Sequence, residues 1–214
     1  MRKWIPPLIV IIAVAASLAV YSRLPDQGPM HWNLHGEPDQ WAARLWTAWT
    51  IPLVLAMLAF LVRALPLIDP HRENYPKFAG AYEGMMILVM LYCLGVHFLL
   101  LAAGLGKPVA VLHWVPMGIG LLLVGIGFYL PQLHRNWFFG IRTPWTLSSD
   151  TVWERTHRLG GYVITIAGVL IAVSVLVIPR WTHIVMFGAI VSAATILVAY
   201  SYFAWKEEAP SRPT

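Results

Sequence analysis

Apolar and polar positions in this chain are sorted into blocks rather than alternating residue by residue. Six apolar runs recur, roughly Trp4 to Tyr21, Trp46 to Leu65, Glu83 to Ala103, Val109 to Leu130, Gly161 to Ile178 and Thr182 to Phe203. Each reaches the roughly 20 helical residues needed to cross a hydrocarbon layer of about 30 Å. In lipid every backbone N–H and C=O needs a partner within its own segment, so the runs are predicted to be helices. Barrel strands would read as about ten residues of alternating polarity, and these runs are too long and unbroken for that. The pattern predicts an all-α, polytopic membrane protein with six transmembrane helices.

Composition agrees. The 214 residues are 58% hydrophobic and only 12% charged, with a mean hydropathy of +0.65. A soluble domain of that size could not cover its surface with so little polar material. Arg2 and Lys3 ahead of the first run resemble the start of a signal peptide. No Ala-x-Ala site precedes Ser22-Arg23 and five further runs follow, so an uncleaved first helix is expected. The single cysteine, Cys93, lies inside the third run and reads as a packing residue.

Charge orients the chain. Arg2, Lys3, Arg63, Arg72, Lys77, Arg135, Arg142, Arg155, Arg158, Lys206 and Arg212 fall on one side of the membrane, against Arg23, Arg44, Lys107 and Arg180 on the other. Basic residues near helix ends stay in the cytoplasm, so both termini are expected there. This bias also explains the basic pI of about 9.6 without a nucleic-acid partner.

Two connections carry candidate chemistry. The external loop Ser22 to Leu45 is rich in turn residues and in tryptophan, and reads as an interfacial cap over the helix ends. Within it His31, His35 and Asp39 are metal-competent side chains, so zinc or another transition metal is one reading. Gly36 and Pro38 break the helix that would align them, and an aromatic, hydrogen-bonded loop with no cofactor is the other. The cytoplasmic loop Pro131 to Gly161 is the longest polar interval between the runs. In it, Ser148 or Ser149 can cap a helix whose first turn holds Asp150. Trp153 and His157 then share a face, and Gly160-Gly161 is expected to stop that helix before the fifth span. The prediction is an interfacial amphipathic helix between spans four and five. This loop reads either as an interfacial brace or, with Arg142, Arg155 and Arg158, as a docking surface for an acidic partner or lipid head groups.

Inside the spans polar groups are few. Glu83 is expected to pair with Lys77 or a loop arginine, and His97 to bond across helices as a neutral imidazole. His113 and His183 lie at external helix ends, where they could meet His31 and His35. Gly118, Gly120, Gly125, Gly127 and Gly168 allow close helix approach. No serine–base arrangement or phosphate-binding glycine loop appears, so binding rather than catalysis is expected.

Asn136, Gly140, Arg142, Thr143, Pro144, Trp145, Thr146, Leu147, Ser148, Val152, Trp153, Thr156, His157 and Gly160 stand in the order and spacing of a family signature. On them the loop resembles the SdpI immunity family of bacterial membrane proteins. Pro29, His31, Trp32, Asn33, Gly36, Pro38 and Asp39 look like the N-terminal domain often found ahead of it. The resemblance implies three parts: residues 1–80 with spans one and two and the aromatic loop, residues 81–206 as the SdpI-like four-helix region, and a polar tail at 207–214. It implies a multi-pass protein of the bacterial inner membrane that confers immunity to a secreted toxic peptide and signals by holding a cytoplasmic repressor at the membrane. On that analogy His31, Trp32, Asn33, His35 and Asp39 form the external sensing face for a peptide or lipid-like ligand. Asn136, Arg142, Trp145, Trp153, Arg155, His157 and Arg158 form the cytoplasmic docking face. Membrane lipids are the remaining partners. A metal-dependent membrane enzyme or exporter built on the external His/Asp cluster, and a structural subunit of a membrane complex, are the alternatives.

Overall fold

A computed structural model describes residues 4–208. Arg2, Lys3 and Arg212 of the charge count, and the tail beyond residue 208, lie outside the described residues. Six helices among the described residues are long and apolar enough to cross a membrane. They are α1 (Ile5–Val20), α2 (Arg44–Ile68), α3 (Tyr75–Gly104), α4 (Val111–Tyr129), α6 (Asp150–Val177) and α7 (Thr182–Glu208), with a short α5 (Pro144–Ser148) before α6. Outward side chains such as Leu121, Phe128, Leu176 and Phe187 are largely exposed, a distribution that requires lipid as the solvent. The protein is an all-α, multi-pass membrane protein.

Several helices outrun the apolar blocks. Tyr75-Pro76 opens α3 ahead of its apolar run, because proline in a first helical turn needs no N–H partner and already has a helical φ. The connection after α2 is therefore only Asp69 through Asn74. The expected stop at Gly160-Gly161 is absent, and α6 runs unbroken from the polar loop through the membrane. Both glycines sit where neighbours crowd the helix. A Cβ on Gly160 would strike Ile141 and Leu130, and one on Gly161 would strike Pro131. They are there for contact rather than termination, so the interfacial helix is the first part of span five. The expected boundary at residue 80 falls inside α3.

The glycines of α4 divide between two neighbours. A Cβ on Gly120 would meet the backbone of Gly168 and Ala172, and one on Gly127 the backbone of Gly161 and Thr165, all on α6. Gly118 and Gly125 instead face Tyr92 and Leu88 of α3. Each pair is spaced by two helical turns, so one helix offers two smooth faces. The short connections after α3 and α6 make α3/α4 and α6/α7 antiparallel neighbours, as their length predicts.

The loop from Ser22 to Leu45 is more ordered than a cap of turns. β1 (Gln27–Trp32) and β2 (Pro38–Ala43) form an antiparallel hairpin, with Gln27 opposite Ala43 and Trp32 opposite Pro38. Its tip is closed by Asn33, whose Oδ1 accepts the N–H groups of His35 (2.8 Å) and Glu37 (3.0 Å). Gly36 adopts φ 81°, a left-handed turn that glycine enters at no steric cost. The hairpin is seated by Gly28 against Thr47 and by a buried cluster of Leu24, Ala48 and Leu101. Trp41 and Trp46 remain exposed, as expected of indoles at head-group depth. At the opposite end lie the start of α1, the Asp69–Asn74 turn, the signature loop and the end of α7.

Candidate functional site

The two ends of the bundle hold the candidate groups. At the signature-loop end, local chemistry explains each turn. Asn136 is fully buried and forms an Asx turn: its Oδ1 accepts from Phe138 (2.9 Å) and Phe139 (2.7 Å), while its Nδ2 donates to the His134 carbonyl (2.9 Å). Thr143 caps α5 in a capping box with Thr146, and Pro144 occupies the first turn. Ser149 caps α6 by accepting from Val152 N–H, with Asp150 in the first turn.

Trp153 and His157 lie one turn apart on the buried face of α6, their rings stacked 4.0 Å apart at 19°. Trp153 Nε1–H donates to Leu133 O at 2.8 Å. His157 Nε2 accepts the Ile141 N–H at 2.9 Å, so Nδ1 carries the proton and donates to Trp153 O at 2.8 Å. Those two bonds define a neutral imidazole with one fixed tautomer. Gly140 lets the chain pass at φ 99°, and any Cβ there would collide with the His157 ring.

A second clamp ties this loop to the α2–α3 turn. Asp69, 2% exposed, ends α2. Its Oδ2 accepts from Trp137 N–H and Tyr75 O–H, each at 2.9 Å, and its Oδ1 from His71 N–H at 2.7 Å. Asn74 Nδ2 adds a bond to Arg135 O at 2.9 Å. The end of α7 closes the other side: Thr143 Oγ1 donates to Ser201 Oγ at 3.0 Å, Ser149 Oγ to Glu208 at 2.8 Å, and Arg155 pairs with Glu207 at 2.8 Å.

The residues read as a docking face therefore separate. Asn136, Trp153 and His157 are buried and hold the loop's shape, so they offer no surface to a partner. Arg142, Arg155 and Arg158 are exposed, and Trp145 is half-buried against Tyr202 with ring centroids 5.2 Å apart. Arg142 Nη1 donates to Trp137 O at 2.5 Å, which ties one nitrogen of its guanidinium to the loop while the residue stays exposed at the rim. The clamp residues Asp69, Ser201 and Glu207 were not legible from spacing. Asp69 did carry one signal: a carboxylate at a helix C-terminus is disfavoured by the macrodipole unless N–H groups satisfy it. Glu83 does not pair with Lys77, whose Nζ donates to Asn74 Oδ1 at 2.9 Å.

At the hairpin end, His31 Nδ1 lies 2.6 Å from Asp39 Oδ1 in an exposed pair across the strands. Trp32 is half-buried in the hairpin, and Asn33 is spent on the turn. His35 sits at the tip, away from His31 and Asp39, because the strand register brings those two together and leaves position 35 in the turn. The triad does not converge. Among the described residues, no group of three or more His, Cys, Asp or Glu side chains is placed to hold a metal ion. His35 instead shares a cleft of about 480 Å³ with Leu34, Leu112, Arg180, Thr182 and His183. The Thr182 hydroxyl is buried there without a hydrogen-bond partner. His113 is exposed and outside that lining.

Between the two ends, His97 joins three helices. Ser17 Oγ donates to Ala48 O at 2.6 Å, and His97 Nε2–H is shared between Ser17 Oγ (3.1 Å) and Ala13 O (3.2 Å). His97 of α3 thus bonds α1 directly and reaches α2 through Ser17.

Comparison with known proteins follows the same division. Residues 132–201 match the SdpI/YfhL protein family, and residues 8–56 match the domain of unknown function DUF1648. Along 205 residues, 96% of both chains, the sequence is 28% identical to the "Immunity protein SdpI" of Bacillus subtilis (strain 168). No solved structure matches the chain.

Proposed function

With an SdpI-family region set behind a DUF1648 region in one multi-pass protein of the bacterial cytoplasmic membrane, we propose that this chain is a membrane immunity protein. It senses a toxic amphipathic peptide, or a lipid-like ligand, outside the cell and presents a docking rim for a regulator inside. In this reading the hairpin faces outward, and both termini and the signature loop face the cytoplasm, following the positive-inside bias. Residues 1–80 supply the sensing hairpin and residues 81–206 the SdpI-like bundle.

The carrying observation is the cleft at the hairpin tip. His35 and Leu34 come from the N-terminal part, while Leu112 comes from α4, Arg180 from the α6–α7 turn, and Thr182 and His183 from the start of α7. A ligand seated there touches both parts at once, which is what biasing two packings of the bundle requires. Arg180 and the unpartnered Thr182 hydroxyl offer a cation and a donor to a peptide carboxylate or phosphate. The unbroken α6 supports coupling between the faces. It starts at the rim carrying Arg155 and Arg158 and ends beside the cleft, a single rod of about 42 Å at 1.5 Å per residue.

The test is a survival assay in cells sensitive to the secreted toxin of the Bacillus subtilis system, with protein levels matched by immunoblot. The unmodified chain is expected to protect. Arg180→Gln with His183→Ala is expected to lower the tolerated toxin concentration about tenfold. Arg142→Ala with Arg158→Ala is expected to spare survival and abolish pull-down of a cytoplasmic regulator. No protection by the unmodified chain, or full protection by the cleft variant, overturns the reading.

A further inference from the structure

A cleft of about 630 Å³ opens between α1, α2 and α3 at the signature-loop end, separate from both the hairpin and the docking rim. Val62 and Pro66 of α2 and Ala79 and Ile87 of α3 give it apolar walls. Three charged side chains line it: Arg63 and Arg72, both exposed, and Glu83, half-buried. Its back wall is preformed. Tyr82 O–H donates to Val62 O at 2.9 Å, and Tyr75 O–H is held by Asp69 at 2.9 Å. Both tyrosines belong to the packed cluster that includes Trp153.

Its place and lining select the occupant. The cleft lies where the helices leave the hydrocarbon layer, so its apolar wall suits the upper part of an acyl chain and its charged groups suit a head group. A guanidinium presents several N–H donors to phosphate oxygens. Arg63 also keeps an interaction within the protein; with five donors, one guanidinium can serve two partners. Glu83 then discriminates among head groups. A purely anionic head group would satisfy the arginines but set its phosphate near the Glu83 carboxylate without bringing a cation for it. A quaternary ammonium has no N–H to give. A primary ammonium next to a phosphodiester satisfies Glu83 and the arginines together.

We propose that this cleft is a binding site for phosphatidylethanolamine, with the phosphate held by Arg72 and Arg63 and the ammonium by Glu83. The bound lipid packs an acyl chain along Ala79 and Ile87. It lies against the face of Tyr75 whose hydroxyl engages the Asp69 clamp, so its position adjoins the support of the signature loop.

Native mass spectrometry of the delipidated full-length protein in neutral detergent tests this. Phosphatidylethanolamine, phosphatidylglycerol and phosphatidylcholine are offered singly at equal concentration. The unmodified protein is expected to retain phosphatidylethanolamine about tenfold more than either of the others. Glu83→Gln is expected to bring the phosphatidylethanolamine to phosphatidylglycerol ratio close to one, and Arg72→Gln to lower retention of all three. Ala79→Trp fills the apolar wall from an exposed position, so it is expected to remove retention with helix content unchanged. Equal or greater retention of phosphatidylglycerol or phosphatidylcholine by the unmodified protein overturns the site, as does undiminished retention by Ala79→Trp.

Discussion

Asp69 illustrates how one side chain can hold two loops. Three donors from three residues converge on its carboxylate, and four of them would saturate it. An amide has a single acceptor oxygen and presents N–H bonds on its other side. Asp69→Asn therefore sets two donors against each other at either His71 or Trp137. A buried donor left unmade costs about 1–3 kcal/mol. We expect Asp69→Asn to lower the unfolding temperature in detergent and to speed proteolysis between residues 135 and 149; unchanged values for both would refute the clamp. His157 is the complementary case, a ring whose two nitrogens are both committed, one as donor and one as acceptor. At this scale the sequence announces residue types but not partners. Trp153 and His157 share a face by spacing alone, whereas Asp69 meets Trp137 across 68 positions of chain.

At the scale of elements, α4 and α6 are governed by what their glycines leave out. A Cβ on Gly120 would sit 2.8 Å from Gly168 O and 2.9 Å from Ala172 N, and neither backbone atom can yield. Overpacking of that kind costs about 1–3 kcal/mol. Gly120→Val is accordingly expected to lose about 2 kcal/mol or more in detergent unfolding. Gly95→Ala, where nothing lies within 4 Å, is expected to be neutral or stabilising. Equal losses at the two positions would refute the close approach. The glycine pattern was legible as a packing device, since small residues in an apolar run have little other use. Its partners were not. The same two-residue signal, Gly160-Gly161, reads as a helix stop in isolation and serves as a contact surface once Ile141, Leu130 and Pro131 surround it. The hairpin was hidden for a related reason: β1 and β2 carry proline, glycine and polar residues that read as turns, and only the Asn33 bonds and the strand register reveal the pairing.

The whole molecule is a bundle whose two ends differ in kind. One end is a hairpin over a cleft, and the other is a clamped loop with an arginine rim. Orientation follows from the expected charge bias, and it can be measured. In a Cys93→Ser background, Leu34→Cys at the exposed hairpin tip is expected to react with a membrane-impermeant maleimide in intact cells. Glu154→Cys, exposed on the first turns of α6, is expected to react only after lysis. The reverse pattern would invert the proposed sensing and docking faces.

The sequence alone determined the solvent, the number of spans and the reading of one loop as a family signature. These depend on block hydropathy and local order, and both are written along the chain. Only tertiary structure decided which signature residues are available to a partner. Asn136, Trp153 and His157 turned inward because the loop folds on itself, held by the Asp69–Asn74 turn and the end of α7. It also parted His35 from His31 and Asp39 and set it beside Arg180 and His183. Distances between residues far apart in the chain are set by helix packing and strand register, which local pattern does not encode.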